Sequence, residues 1–147
     1  MPRVRRIALA YITHGHRLLV FSHLDFPEAG IQVPGGAVKQ GEEPDEAVTR
    51  EAFEETGLSG LRLQALLGDH RFSPPRWDEI HHRFFYHLTY QGCPPVRWRH
   101  DERDPADGSP GPITFEFFWV RLPDEVPALS GEQDAMLPEL LDSLPPE

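Results

Sequence analysis

Apolar residues in this chain come in short runs separated by turn-forming residues. Residues 6–13 (RIALAYIT) and 17–22 (RLLVFS) flank His14-Gly15-His16, and a glycine between two such runs predicts a hairpin. A turn-rich stretch, residues 25–36 (DFPEAGIQVPGG), follows. Pro44 then suits the first turn of a helix, where its missing N–H costs nothing. Ala47, Val48 and Ala52 supply a modest apolar stripe, and Gly57 stops the helix. Glu43 falls at the cap, a poorer choice than Ser or Thr. Residues 61–67 predict a strand and residues 79–90 (EIHHRFFYHLTY) a longer one. The even positions of the latter, Ile80 to Tyr90, form the more apolar face; the odd ones, Glu79, His81, Arg83, Phe85, His87 and Thr89, form a polar face with one aromatic. Residues 92–112, rich in Pro, Gly, Asp and Arg, read as a long surface excursion of the kind that often carries function. Residues 113–122 (ITFEFFWVRL) are a strongly apolar strand. Ser130-Gly131-Glu132-Gln133 has the form of a capping box opening a terminal helix, with Met136, Leu137, Leu140, Leu141 and Leu144 on its apolar side and Pro138 kinking or delaying it. The order β-β-β-α-β-β-β-α, without repeat or linker, predicts one α+β domain over residues 1–147, a sheet sandwiched by helices.

Charge narrows the partners. With 14 Lys+Arg against 24 Asp+Glu the net charge is −10, so a nucleic-acid polymer is a poor default partner. A small phosphorylated ligand needs metal ions or a local basic patch to approach such a surface. Cys93 is alone, which excludes an intramolecular disulfide and a cysteine metal cluster. The start has basic residues before an apolar run, as a signal peptide does, but the run stops at His14 after about six residues, short of the ~7–15 of a signal core. No segment approaches the ~20 apolar residues of a membrane span. These features predict a soluble, cytoplasmic protein with no membrane partner.

The predicted helix carries an apparent liability. Glu51, Glu54 and Glu55 are three and four residues apart and share one face, where like-charge pairs cost roughly 0.2–0.5 kcal/mol each. One reading is a solvated acidic face. The other is a Mg²⁺ or Mn²⁺ site, because hard divalent cations take carboxylate oxygens. Pro34-Gly35-Gly36 allows a tight backbone that can offer a carbonyl to a metal. Glu42 lies at the mouth of the helix, and Arg50 can hold a neighbouring carboxylate without itself coordinating metal.

Residues 36–58 (GAVKQGEEPDEAVTREAFEETGL) resemble the signature box of the Nudix hydrolase family, G-x5-E-x7-R-E-U-x-E-E-x-G-U with U apolar. Gly36, Glu42, Arg50, Glu51, Ala52, Glu54, Glu55, Gly57 and Leu58 each fall on it. The resemblance implies a mixed sheet between helices, an α/β/α sandwich, and hydrolysis of a nucleoside diphosphate linked to another group. It implies that Glu51, Glu54 and Glu55 bind Mg²⁺ or Mn²⁺, assisted by the Gly35 carbonyl. Glu51 is then also a candidate base, Arg50 orients the carboxylates, and Glu42 supports the metal through water. Many members recruit a further acid from elsewhere. Glu116, the only acid within the aromatic strand, is the candidate, with Glu102 or Asp101 in the excursion as alternatives.

Substrate choice lies outside the box. Trp77, Phe72 and Trp98 are aromatic residues placed in loops, where one can stack on a base or simply pack. Arg83 and His81, with Arg71 and Arg76, can contact phosphates or line a solvated face. Pro74, sixteen residues after Leu58, resembles the proline marker of members acting on ADP-ribose. Arg97, Trp98, Arg99 and His100 can supply polar contacts to a second moiety under the excursion. The order of expected substrates is nucleoside diphosphate derivatives such as ADP-ribose or nucleotide sugars, then dinucleoside polyphosphates, then (d)NTPs. A silent nucleotide-sensing module is the non-enzymatic alternative, and a homodimer is left open.

Overall fold

The computed structural model describes residues 1–102 and 112–146. Eight strands form one mixed sheet. They are β1 (Arg3–His14), β2 (Arg17–His23), β3 (Ile31–Gln32), β4 (Gly35–Ala37), β5 (Leu61–Phe72), β6 (Glu79–Tyr90), β7 (Arg97–Glu102) and β8 (Ile113–Arg121). Helix α1 (Pro44–Thr56) follows β4, and α2 (Leu137–Ser143) follows β8. The main path is β5-β6-β1-β2-β8-β7, with β3 on β2 and β4 on β1. β1 and β6 are parallel; the other pairs are antiparallel.

The continuous apolar run of β1 suits its central place. Residues 8–13 are all buried, as expected of a strand covered on both faces. One cover is α1: Ala47, Val48 and Ala52 pack on Ala8, Ala10, Ile12, Phe21 and Phe117. The other is the C-terminal segment, where Leu129 and Leu140 pack on Leu9, Tyr11, Val20 and Phe85. The Tyr11 hydroxyl fastens it, donating to the Gln133 carbonyl at 2.6 Å and accepting from the Met136 N–H at 3.2 Å. This is the expected α+β sandwich.

β1 and β2 are paired only beside their hairpin, at Thr13–Leu18 and His14–Arg17. Beyond that they part. β4 takes the vacated edge of β1 and β3 the vacated edge of β2. The fork opens the sheet where the glycines of the box enter it.

Three expectations change. Residues 97–102, expected within the surface excursion, form β7 against β8, and residues 103–111 of that excursion lie outside the described residues. The odd face of β6 is not a wet polar face. His81, Arg83, Phe85 and His87 are its buried positions, because the C-terminal segment covers that side and alternation reports exposure only when one face is open. Ser130–Glu132 is a single 3-10 turn with no side-chain cap, and α2 begins later, with Pro138 in its first turn.

Candidate metal and substrate site

Helix α1 buries Ala47, Val48, Glu51, Ala52, Glu55 and Thr56. Positions 47, 51 and 55 run down one stripe, so two of the crowded glutamates lie on the packed side of the helix. Glu51 is 3% exposed and Glu55 4%. The helix is well ended. Its first turn gains the Glu43 N–H, which donates to the Glu46 carboxylate at 3.0 Å. Gly57 takes the left-handed conformation and donates to the Phe53 carbonyl at 2.9 Å.

Arg50 gathers one buried acid and two at the rim. Its Nε and Nη2 meet both oxygens of Glu42 at 2.8 and 2.9 Å, Nη1 meets Glu51 at 2.8 Å and Glu54 at 3.2 Å, and Nη2 also donates to the Ala37 carbonyl at 3.1 Å. That fork holds the Glu42 carboxyl down to about 2. Burial pushes Glu51 up, against the pull of Arg50. Burial pushes Glu55 well up, reinforced by Glu102 and Glu51.

Glu51, Glu55 and Glu102 each offer an oxygen within 4.8 Å of the others. Glu102, at the end of β7, is the third acid of this cluster. Glu116 lies outside it. It stands on the opposite side of the sheet from Phe115 and Phe117, paired with Arg97 and, at 3.5 Å, with Arg99. Strand alternation puts Glu116 and the two arginines on one face and Glu102 on the other. Glu54 also lies outside the trio, at the rim, with a side chain 48% exposed. Gly35 meets the site through its N–H, which donates to Glu55 at 3.2 Å.

The trio fits a hard cation. All its donors are carboxylate oxygens, and Glu51 Oε2 is buried with no hydrogen-bond partner among the described residues. Burying such an acceptor is costly unless something meets it. The glycines bring backbone and carboxylates together: a Cβ at Gly35 would lie 2.3 Å from the Ala8 carbonyl oxygen.

A cleft of about 480 Å³ opens at the fork. Glu55, Glu102, Gly35 and Gly36 line one part of it; His81, Arg83, Trp77 and Gln133 line another. Trp77 is 59% exposed. His81 Nε2 donates to the Glu79 carboxylate at 3.0 Å. Arg83 is buried, lies 4.2 Å over the Phe72 ring and donates to the Gly131 carbonyl, while its Nε has no hydrogen-bond partner among the described residues. Phe72 ends β5 rather than occupying a loop, and it backs Arg83 instead of lining the cleft.

The family model of the NUDIX domain matches residues 1–140. The chain belongs to the Nudix family. Over 50 residues it is 40% identical to an RNA pyrophosphohydrolase of Bartonella clarridgeiae, a stretch covering 33% of this chain and 29% of that protein. The chain thus matches less than a third of that curated relative's length. A MutT NUDIX hydrolase from Burkholderia pseudomallei has a TM-score of 0.68 at 25% identity, over 94% of this chain and 98% of that one. A UDP-X diphosphatase shares the fold at TM-score 0.67 and 16% identity, over 97% of this chain and 63% of that one. The Nudix box here spans β4, α1 and the Gly57 cap.

Sequence reasoning passed over His23 and gave Gln133 only a helix-capping role. His23 lines the cleft between the Phe26 and Phe115 rings, with a buried Nδ1 that has no hydrogen-bond partner among the described residues. Gln133 accepts from the Val33 N–H at 2.8 Å and so fixes the strand entering the box. Neither of these placements is one that spacing could reveal.

Proposed function

We propose that this Nudix protein is a divalent-cation-dependent hydrolase that cleaves the diphosphate linkage of a nucleoside diphosphate joined to another moiety. The observation that carries this is the carboxylate trio, two of whose members, Glu55 and Glu102, line one part of a cleft whose other part holds a buried arginine. Glu51, Glu55 and Glu102 would hold Mg²⁺ or Mn²⁺, with Glu54 at the rim within reach of a further ion. When bound, such a cation neutralises phosphate charge and makes a coordinated water easier to deprotonate. Glu51 is the candidate to accept the proton of the attacking water. Arg50 fixes the orientation of Glu51 and Glu54, and Glu42 holds Arg50. Arg83 and His81 offer polar contacts to the far part of the substrate, and Trp77 at the mouth offers a ring on which a base can stack.

The reach of the cleft from Glu55 and Glu102 to Arg83, His81 and Trp77 supports a linked diphosphate over a bare triphosphate, with ADP-ribose and nucleotide sugars first, dinucleoside polyphosphates next and (d)NTPs last. The test is a panel of these compounds, with a short RNA bearing a 5′-triphosphate, incubated with Mg²⁺ or Mn²⁺ and resolved by chromatography. Metal-dependent cleavage of a linked diphosphate is expected. Turnover undiminished in excess chelator would overturn the metal reading, and action on (d)NTPs alone would overturn the substrate order. Mn²⁺-tight binding of a nucleotide without turnover would instead favour a sensing module.

A further inference from the structure

We infer that β7 is a strap that carries Glu102 to the helix glutamates, and that His100 and Trp98 are the positioning residues that fasten it. The inference rests on the metal reading of the trio. The last carbonyls of a helix have no partner within it and must find one elsewhere. In α1 the Ala52 carbonyl accepts from the Thr56 hydroxyl at 2.7 Å and the Phe53 carbonyl from the Gly57 N–H. Two of the remaining three, those of Glu54 and Thr56, are met by β7. His100 Nε2 donates to the Glu54 carbonyl at 3.0 Å, and Trp98 Nε1 donates to the Thr56 carbonyl at 2.9 Å. Because a carbonyl only accepts, the His100 proton must sit on Nε2. Trp98 also stacks on Phe117, 5.2 Å between centroids at 17°.

Alternation then decides the rest. Trp98, His100 and Glu102 share one face of β7, so two fastened side chains aim the third at Glu55. The odd positions Arg97 and Arg99 grip Glu116 from the other face, and Asp101 accepts from the Thr114 hydroxyl at 2.7 Å. Gly57 serves the strap as well as the helix end. A Cβ there would lie 2.8 Å from the His100 ring, so a side chain would both strain the backbone and push the ring away. The metal trio thus depends on a joint at the last turn of α1, made to the carbonyls on either side of Glu55.

The experiment is a double-mutant cycle read by Mn²⁺ binding, with free Mn²⁺ followed by electron paramagnetic resonance and melting temperature followed alongside. Residues that orient a metal ligand typically matter by 10–100-fold in affinity. H100A should therefore weaken Mn²⁺ by about tenfold, and H100Q, which keeps an N–H donor, should recover part of the loss. E102Q should weaken Mn²⁺ at least as much. The double variant H100A/E102Q should be no worse than E102Q, because His100 acts through Glu102. W98F, which keeps the stacking but loses the donor, should lie between wild type and H100A. Equal losses from H100A with and without Glu102, or no loss at all, would overturn the strap while leaving the metal site standing. A wild-type protein whose Mn²⁺ binding is absent, or indifferent to both E55Q and E102Q, would overturn the metal reading itself and the strap with it.

Discussion

Gly36 and Glu51 occupy the same space up to the limit of a single methyl group: a Cβ at Gly36 would lie 2.4 Å from the Glu51 carboxyl carbon. The box needs glycine here for room, since this residue is not in the left-handed region. Neither neighbour can retreat easily. β4 is hydrogen-bonded to β1, and Glu51 is held by Arg50. Gly36→Ala should cost about 1–3 kcal/mol of stability, the usual penalty of overpacking, and should lose most turnover even where the protein remains folded. Denaturant melts and a rate measurement on the preferred substrate check both.

Glu55→Gln should separate stability from function. A raised carboxyl pKa in the folded state stabilises at low pH, and that contribution is lost as pH rises through the folded value. In chelator, E55Q should therefore melt no lower than wild type, and its advantage should widen from pH 5 to pH 8. Mn²⁺ at a hundredfold excess over its Kd should stabilise wild type by about 2.7 kcal/mol and the variant far less. Turnover should fall on the order of 10²-fold. A variant that unfolds in chelator at every pH would make Glu55 structural.

Glu116→Gln distinguishes the two acids proposed for the third place. Its partners on β7 are largely exposed, with side chains 57% and 65% accessible, and pairs of that kind contribute little. Mn²⁺ affinity and turnover should stay near wild type in E116Q and drop in E102Q. Titration of both variants side by side decides it; loss in E116Q alone would restore Glu116 as the ligand.

His87 sets an acid limit that has nothing to do with metal. It is buried on β6 with Nε2 2.8 Å from the Thr13 hydroxyl, and burial lowers its pKa. A lowered value favours the neutral ring, so its contribution is present above about 6.5, the ordinary value, and is lost as pH falls below it. Relative to His87→Gln, the wild-type melting temperature in chelator should decline between pH 7 and pH 5. Parallel curves for the two proteins would remove His87 from the account.

Much of this was readable from the chain because local physics fixed it. The Gly15 hairpin, the Pro44 start and Gly57 stop of α1, and the box glutamates all follow from spacing over a few residues. The packed side of α1 followed as well, since Ala47, Val48 and Ala52 are buried, but the burial of two glutamates on it did not. Glu51 and Glu55 share the stripe of Ala47, and only the fork in the sheet explains why a packed face is acidic. The even–odd reading of β6 failed because His81, Arg83 and His87 are covered by a segment far along the chain. β7 was hidden by its composition: RWRHDE has no apolar run, yet its alternate side chains Trp98, His100 and Glu102 all find partners on α1 or in the trio. Glu116 looked like a ligand because it was an acid among aromatics, and its own arginine partners lay in a stretch read as loop.

The parallel pairing of β1 with β6, beginning at Arg3 with Glu79, sets an order of events for a chain coming out of the unfolded state. Contacts between distant residues form late, because closing the loop costs entropy before any contact repays it. Helix α1 needs only its own sequence and neighbouring strands, so two glutamates of the trio can be in place early. Glu102 can join only after β6, β1, β2 and β8 have aligned in turn and left an edge for β7. In stopped-flow refolding, far-ultraviolet circular dichroism should therefore recover before tight Mn²⁺ uptake does, so that the last kinetic phase of the protein is the one in which its metal site becomes whole.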